Sequence, residues 1–348
     1  MIRPNNIQSS AAWYGPDMVA KPEQWRWELS SEESALLLAV ARSFIASEEA
    51  LENISSVNFS LNSLNDKLNA FRLELIEGRG FGLISGLSVE GLTKQELAVI
   101  FMGVGAHIGN ARSQNAAGHL LGHVRDANKD ALDPNVRIYQ TSSRQTFHTD
   151  SADVVGLICI KPAKSGGESL LVSSETIYNE IQKTQPDLVD YLFDAIATDK
   201  RGEIEEGSQP FFSIPVFSWL KGKLTAIYQR QYIESAQRFA EAPRLTPKHV
   251  EALDLFDQIA NDPANHFSMR LQSGDMQFVH NHNLLHDRTR FEDWPQPQDR
   301  RHLLRLWLSV PKARELPPVF AQRFGSTEVG NRGGVICKDG HLHVPPLD

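Results

Sequence analysis

HFSMRLQSGDMQFVHNHNLLHDR, residues 266–288, combines a strand pattern with three closely spaced histidines. We predict two strands in residues 266–280, joined at Ser273-Gly274-Asp275, because these small and polar residues favour a turn between apolar runs. His280, His282 and His286 follow in and just after the second strand. The stretch therefore predicts β structure next to a candidate metal-binding segment.

Further strands are predicted on both sides of this stretch. Residues 81–84 lie between glycines, residues 154–160 form a continuous apolar run, and residues 303–310 end at Pro311. Regular alternation of strands and helices is absent, and no G-x-G-x-x-G follows a strand, so neither a parallel α/β sheet nor a nucleotide site is indicated. We predict a mainly β fold with added helices, of the sandwich or jelly-roll type.

The added helices have recognisable starts. Ser30 with Glu33, and Thr93 with Glu96, form capping-box patterns before apolar-periodic stretches. Pro247 occupies the first helical position of a third segment. We expect these helices to pack on the outside of a sheet.

Composition excludes several classes of protein. The 348 residues are 41% hydrophobic and 22% charged, with a formal net charge of −8. This balance argues against nucleic acid or an anionic membrane as the main partner, since both attract clustered positive charge. Two cysteines are too few for a disulfide framework, and Cys159 lies in an apolar run, so we expect a buried, inert thiol. No long apolar segment or signal peptide is evident, and we expect a cytoplasmic protein.

The first candidate site is Phe147-His148-Thr149-Asp150. On an extended chain, residues two apart point to the same side, so His148 and Asp150 could present an imidazole and a carboxylate to one point. These are two of the three ligands of a 2-His-1-carboxylate iron site.

The second histidine cluster allows two interpretations. His282 and His286 are four residues apart, so on a helix they could bind zinc together with His280. That segment follows a strand, however, and lacks the glutamate of an H-E-x-x-H site. In the other interpretation, His286 alone completes the site begun by His148 and Asp150.

Two arginines follow at the start of the last predicted strand. Arg301 lies 15 residues after His286, and Arg305 lies an even number of residues further on, so both side chains face the same way on a strand. No carboxylate partner is obvious nearby, and an unpaired buried charge is costly, so we expect an anionic small molecule here. Arg300 is expected at the surface.

At this point the sequence resembles a known family. The motifs are HTD (148–150), GGES (166–169), SGD (273–275), NHNLLH (281–286) and RRHLLR (300–305). In this order they resemble the TauD/TfdA-like branch of the iron(II)/2-oxoglutarate-dependent dioxygenases, which includes taurine dioxygenase and clavaminate synthase. The resemblance runs from about His148 to Val310 and implies a double-stranded β-helix core, the cupin-like jelly roll.

The resemblance also implies roles for individual residues. His148, Asp150 and His286 match the triad that holds Fe(II). Arg301 matches the arginine that binds the distal carboxylate of 2-oxoglutarate, and Ser169 stands where the family has a threonine hydroxyl on the same carboxylate. Asp150 is a carboxylate, unlike the small residue of related halogenases, so binding of a halide to the iron is disfavoured.

Residues for the primary substrate are less firmly indicated. Arg305 matches an arginine that binds an acidic group of the substrate in several members of the family, and Asn281 matches an asparagine before the distal histidine. Tyr139, Gln140 and Arg144 precede the HTD motif and are candidate pocket walls.

The implied reaction uses O₂ and converts 2-oxoglutarate to succinate and CO₂. We expect oxidation of an unactivated C–H bond of a small, carboxylate-bearing, amino-acid-like metabolite, most simply hydroxylation. Desaturation or cyclisation by the same cofactors, a zinc hydrolase and a non-catalytic cupin-like binding protein are the alternatives. The partner is then a small molecule, and a homo-oligomer stays open.

We expect a single domain over residues 1–348. Within it we predict a helix-rich part (1–135), a metal-binding β core with a helical insert (136–312) and a C-terminal extension (313–348).

Overall fold

The computed structural model describes residues 3–129, 138–204, 207–337 and 340–347. Its helices are α1 (Gly15–Ala20), α2 (Ser31–Ala46), α3 (Asn65–Ile76), α4 (Lys94–Ile108), α5 (Ser174–Thr184), α6 (Pro186–Val189), α7 (Arg230–Ala236), α8 (Pro247–Asn261) and α9 (Ala321–Phe324). Its strands are β1 (Arg26–Glu28), β2 (Phe81–Ser85), β3 (Asn110–Arg112), β4 (Leu121–Val124), β5 (Gln145–His148), β6 (Val154–Lys161), β7 (Ser165–Gly166), β8 (Ser169–Ser173), β9 (Ile196–Asp199), β10 (Phe211–Ile214), β11 (Phe217–Leu220), β12 (Lys223–Ala226), β13 (His266–Met269), β14 (Met276–His280), β15 (Leu284–Arg288), β16 (Phe291–Glu292) and β17 (His302–Ser309).

Two sheets form the core. The major sheet has seven strands in the order β1-β2-β14-β6-β17-β3, with β4 also paired to β17, and the minor sheet has the order β13-β8-β15-β5. The two strands predicted in residues 266–280 are present as β13 and β14. They belong to different sheets, β13 to the minor sheet and β14 to the major sheet. The two sheets make the predicted jelly roll, the cupin-like double-stranded β-helix.

Alternation along β17 decides which side chains lie between the sheets. Leu304, Leu306 and Leu308 belong to the hydrophobic cluster shared with the helices outside the major sheet. Leu303 and Trp307 belong to the cluster between the two sheets. Because strand residues two apart share a face, Arg305 lies on the inner face with Leu303 and Trp307.

Helices cover both outer faces of the sandwich. The capping boxes of α2 and α4 form as predicted, and these helices share the hydrophobic cluster on the outside of the major sheet. α5 and α8 cover the minor sheet in a separate cluster. None of the helices in the described residues is both long enough and apolar enough to cross a membrane.

The N-terminal part contributes strands to the core as well as helices. Strands β1 to β4 all join the major sheet, so the first 129 residues contribute to the same core as the later strands. The three-part division of the chain at residues 135 and 312 stays a prediction.

Candidate active site

The three predicted metal ligands converge at the end of the minor sheet. β5 and β15 pair antiparallel with His148 opposite His286, and their ring centroids lie 4.2 Å apart. Asp150 follows two residues after His148, and one ligand atom from each of the three residues lies within 4.8 Å of the others. Within the described ranges this is the one cluster of three such residues close enough to share a metal ion.

Both histidines are set up to act as neutral ligands. The Nδ1 atom of His148 lies 2.8 Å from the carbonyl oxygen of Thr146, so it carries the proton and leaves the lone pair on Nε2. That Nε2 atom accepts a hydrogen bond from the Gln145 amide at 2.8 Å. Burial lowers the pKa of His148, and burial lowers the pKa of His286 to about 3. A neutral imidazole is the form that coordinates a metal.

Asp150 is held as a carboxylate. Burial alone would raise its pKa, but the positive charge of Arg305, with smaller effects of the two histidines and Trp307, holds the pKa at about 2. Its Oδ2 atom accepts hydrogen bonds from Nη1 of Arg305 at 3.1 Å and from Nε1 of Trp307 at 3.0 Å. The site thus offers one hard oxygen and two nitrogens, the donor set of a 2-His-1-carboxylate iron centre.

Asn281 holds the backbone of the carboxylate ligand Asp150. Its side-chain oxygen accepts the backbone N–H of Asp150 at 3.1 Å, and its amide nitrogen donates to the carbonyl of Ala152 at 3.0 Å. The asparagine that the resemblance singles out is therefore a support of Asp150.

The loop after Asp150 is also tied to the C-terminal segment. Asp153, fully buried, binds Nε2 of His282 at 2.9 Å and Nε of Arg332 at 2.8 Å. The backbone N–H of Gly334 donates to the carbonyl of Ser151 at 2.7 Å. These contacts fix residues 151–153, immediately after the metal ligand.

The same contacts argue against the zinc alternative. Nε2 of His282 is engaged by Asp153, and both ring nitrogens of His280 are buried without a partner in the described chain. Neither histidine joins His286 in a metal cluster. The segment folds as a strand and a turn, and the helical spacing of four residues that would align His282 with His286 does not occur.

Two cavities meet at the triad. The inter-sheet cavity lies between the two sheets and spans about 700 Å³, open solvent included; its wall includes His148, Ser169, His286, Arg288, Arg301 and Arg305. The hairpin cavity lies on the side of Asp150, beside the β9–β10 hairpin, and spans about 760 Å³, open solvent included; its wall includes His148, Asp150, Arg305, Trp307 and Arg323.

Arg301 fits an anion-binding role in the inter-sheet cavity. Its side chain is buried, and its Nη1 atom has no partner among the described residues. Burial lowers its pKa to about 10, so the guanidinium stays charged at neutral pH. Ser169 lines the same cavity, and its hydroxyl donates to Gln277 at 2.9 Å. An unpaired buried cation is costly, so this arrangement suits a carboxylate ligand.

Arg288 is a second unpaired cation that the sequence analysis missed. Its Nε and Nη1 atoms are buried without partners in the described chain, and burial lowers its pKa to about 9. The guanidinium groups of Arg288 and Arg301 lie 4.9 Å and 5.0 Å from the ring centroid of Phe291. A signal was available, since Arg288 lies two residues after His286 and therefore on the same face of β15.

Arg305 differs from these two arginines. It pairs with Asp150 and donates from Nε to Gln114 at 2.7 Å, while its guanidinium packs against Tyr139 and Trp307. The expectation that no carboxylate lies beside it is wrong, because Asp150, distant in sequence, is brought there by the fold. Its role in binding the substrate stays a prediction.

Of the other candidate pocket residues, one lines the cavities and two do not. Tyr139 lines both cavities. Arg144 lines neither, because its half-exposed guanidinium is held by Asp287 and Asn261. Gln140 also lies outside both walls and accepts a hydrogen bond from Lys129 at 3.2 Å.

Comparison with known proteins decides the family. Residues 46–307 match the model of the family described as "Taurine catabolism dioxygenase TauD, TfdA family". The chain belongs to the TauD/TfdA family. It is 36% identical over 258 residues to FR-33289 synthase of Streptomyces rubellomurinus, covering 72% of this chain and 75% of that protein.

Solved structures share the fold at low identity. An asparagine oxygenase in complex with Fe(II), 3-hydroxyasparagine and succinate has a TM-score of 0.64 at 16% identity, covering 82% of this chain and 93% of that one. The non-heme iron oxygenase OrfP, in complex with iron and α-ketoglutaric acid, has a TM-score of 0.62 at 14% identity, covering 81% and 93%. The family, the His-Asp-His cluster and the unpaired arginine agree that this TauD/TfdA protein is an Fe(II)/2-oxoglutarate-dependent oxygenase.

Proposed function

We propose that this oxygenase hydroxylates an unactivated C–H bond of a small, carboxylate-bearing, amino-acid-like metabolite. The observation that carries the proposal is the position of the triad where two cavities meet, one with unpaired cations and the other open toward loops. Two small molecules can therefore reach one metal from different sides. The fold shared with an asparagine oxygenase supports an amino acid as the primary substrate.

His148, Asp150 and His286 would hold Fe(II), and Arg301 with Ser169 would hold the distal carboxylate of 2-oxoglutarate in the inter-sheet cavity. When bound, these groups and O₂ supply the oxidation of the substrate C–H bond, coupled to decarboxylation of 2-oxoglutarate to succinate. Arg288 adds a second positive charge at the same end of the cavity.

The remaining residues act by position and by exclusion of water. Arg305 and Trp307 keep the Asp150 carboxylate ionised and oriented toward the histidines. The primary substrate would occupy the hairpin cavity, whose wall reaches Asp150 and His148 and so places a C–H bond beside the metal. Tyr139 and Arg305 line both cavities and separate the two ligands.

The test is anaerobic. Fe(II) and then 2-oxoglutarate are added to metal-free protein, and a visible metal-to-ligand charge-transfer band is expected, absent in His148→Ala and weakened in Arg301→Ala. O₂ and a panel of free amino acids then follow, with succinate and the hydroxylated product measured by mass spectrometry. Absence of the band, together with tight zinc binding, would contradict the proposal.

The same assay distinguishes a free amino-acid substrate from one that is attached to a carrier. If succinate forms only when the amino acid is presented on a carrier, the reaction class stands and the free metabolite is excluded.

A further inference from the structure

An ion pair between Arg323 and Glu203 lies in the wall of the hairpin cavity. Arg323 belongs to α9, and Glu203 lies in the loop of the β9–β10 hairpin. The side chain of Arg323 is 14% exposed and that of Glu203 is 10% exposed. Neither residue is within the sequence motifs, and Arg323 lies beyond residues 46–307 that match the family.

The Glu203 carboxylate does not match the two-pronged geometry of the Arg323 guanidinium. Nη1 and Nη2 of Arg323 both donate to the same oxygen, Oε2 of Glu203, at 3.1 Å each. A guanidinium fork is best satisfied by two oxygens in parallel, as a carboxylate or phosphonate supplies when it binds side-on. A ligand that offers both oxygens would therefore bind Arg323 in a better geometry than Glu203 does.

Arg323 is anchored at the metal site. Its Nε atom donates to the hydroxyl of Ser151 at 2.6 Å, and Ser151 directly follows the ligand Asp150. Arg305, the other arginine beside Asp150, is engaged by that carboxylate and by Gln114. An anion bound to Arg323 would thus lie beside the metal without taking a partner from Asp150.

Charged side chains line the hairpin cavity. Its wall includes the basic residues Arg305 and Arg323 and the acidic residues Asp150, Asp199 and Glu203. Asp150 pairs with Arg305, Asp199 pairs with Arg238, which lies outside the wall, and Glu203 pairs with Arg323. A ligand of the same charge as Glu203 would therefore meet the Arg323 guanidinium in place of that carboxylate.

A third cavity adjoins the pair. It spans about 1160 Å³, open solvent included, and shares Lys200, Glu203 and Arg323 with the hairpin cavity. The Arg323–Glu203 pair therefore lies in the walls of both cavities.

We propose that Arg323 binds the oxyanion group of the primary substrate, a carboxylate, phosphate or phosphonate, in place of the Glu203 carboxylate. The inference rests on the proposed function, which puts the primary substrate in this cavity. It makes Arg323, rather than Arg305, the residue that selects an anionic substrate, while Arg305 orients Asp150.

The experiment measures anion binding to the full chain loaded anaerobically with Fe(II) and saturating 2-oxoglutarate. Methylphosphonate and acetate are titrated by calorimetry into the wild type, Arg323→Met and Glu203→Gln. We expect affinity to fall at least about tenfold in Arg323→Met and to rise roughly tenfold in Glu203→Gln, since the competing internal carboxylate is removed. The more tightly bound probe identifies the class of oxyanion.

Arg244→Met is the matched control, because it also removes one positive charge, while Arg244 donates to the backbone carbonyls of Gln237 and Ala240 and does not line the cavity. Its affinity for both probes should equal that of the wild type. Equal affinity in the wild type and Arg323→Met would overturn the inference. If Arg323→Met does not fold, Arg323→Lys replaces it: weaker binding supports the need for the fork, and unchanged binding contradicts it.

The charge-transfer band of the same samples separates the two proposals. A normal band with anion binding that does not depend on Arg323 refutes only the role of Arg323. Absence of the band in the wild type refutes the proposed function instead.

Discussion

The two cavities that meet at the triad are built differently. The inter-sheet cavity is walled largely by strand residues, and Arg288 and Arg301 within it have buried donor atoms without partners. The wall of the hairpin cavity adds loops, a hairpin and a short C-terminal helix to residues of β5 and β17, and Arg305 and Arg323 within it are paired with carboxylates of the protein. In the proposed function, the first cavity receives a dianion on donor atoms that have no internal partner, whereas a ligand at Arg323 must compete with Glu203. Donors without partners suit a constant cosubstrate, and an exchangeable pair suits selection of a particular substrate.

Loss of a metal ligand should disable both cavities at once and gives the largest effect. In His286→Ala, we expect the charge-transfer band to disappear and product formation to fall to background. His280→Leu is the control, because His280 is fully buried and neither ring nitrogen has a partner among the described residues, so an apolar residue of similar size there is close to neutral. Anaerobic titration with Fe(II) and 2-oxoglutarate measures both variants. A band kept in His286→Ala would contradict the assignment of His286 as an iron ligand.

Removal of an unpaired arginine should affect the inter-sheet cavity alone. We expect the Kd of 2-oxoglutarate to rise about 100-fold in Arg301→Met and about tenfold in Arg288→Met, since loss of one partner of a buried charge pair costs about 2–5 kcal/mol at most sites and less where a second cation remains. Band titration with 2-oxobutyrate, which lacks the distal carboxylate, is the control. An equal loss for 2-oxobutyrate would show that the arginines act on the metal instead.

A smaller effect than the loss of Arg301 is expected for a residue that supports a metal ligand. Trp307 lines the hairpin cavity and donates to Oδ2 of Asp150, so Trp307→Phe keeps the ring but removes the donor. We expect roughly tenfold weaker Fe(II) binding, as for other groups that orient a metal ligand, with the Kd of 2-oxoglutarate unchanged at saturating iron. Competition with a chromophoric chelator measures the metal affinity. A changed Kd for 2-oxoglutarate would mean that the cavities are not independent.

The same contrast explains what the sequence could predict. The residues predicted to bind iron and 2-oxoglutarate lie on strands or directly beside them; they include His148, Asp150, His286 and Arg301. The alternation of side chains along a strand can be recognised in the sequence, and it places these residues. Arg288 obeys the same rule, since it lies two residues after His286 on β15, but it falls outside the five motifs that carry the resemblance.

The hairpin cavity could not be predicted in this way. Arg323 and Glu203 are 120 residues apart and come together only because a helix after the last strand packs against a hairpin inserted in the middle of the chain. Arg144 lies outside both cavity walls for a related reason: its position before β5 says nothing about Asp287, which pairs with its guanidinium. Neither helical nor strand periodicity specifies such contacts between loops.

The tie between Arg332 and Asp153 has a consequence for the making of the protein. A chain synthesised from its N-terminus contains all three metal ligands by residue 286, yet residues 151 and 153, just after Asp150, gain their contacts with Arg332 and Gly334 only when residues 332–334 have emerged and docked. A nascent chain stalled before that point would contain all three ligands but would lack the contacts that Arg332 and Gly334 make with Asp153 and Ser151. The surroundings of Asp150 therefore depend on a segment that lies well beyond the last metal ligand in the sequence.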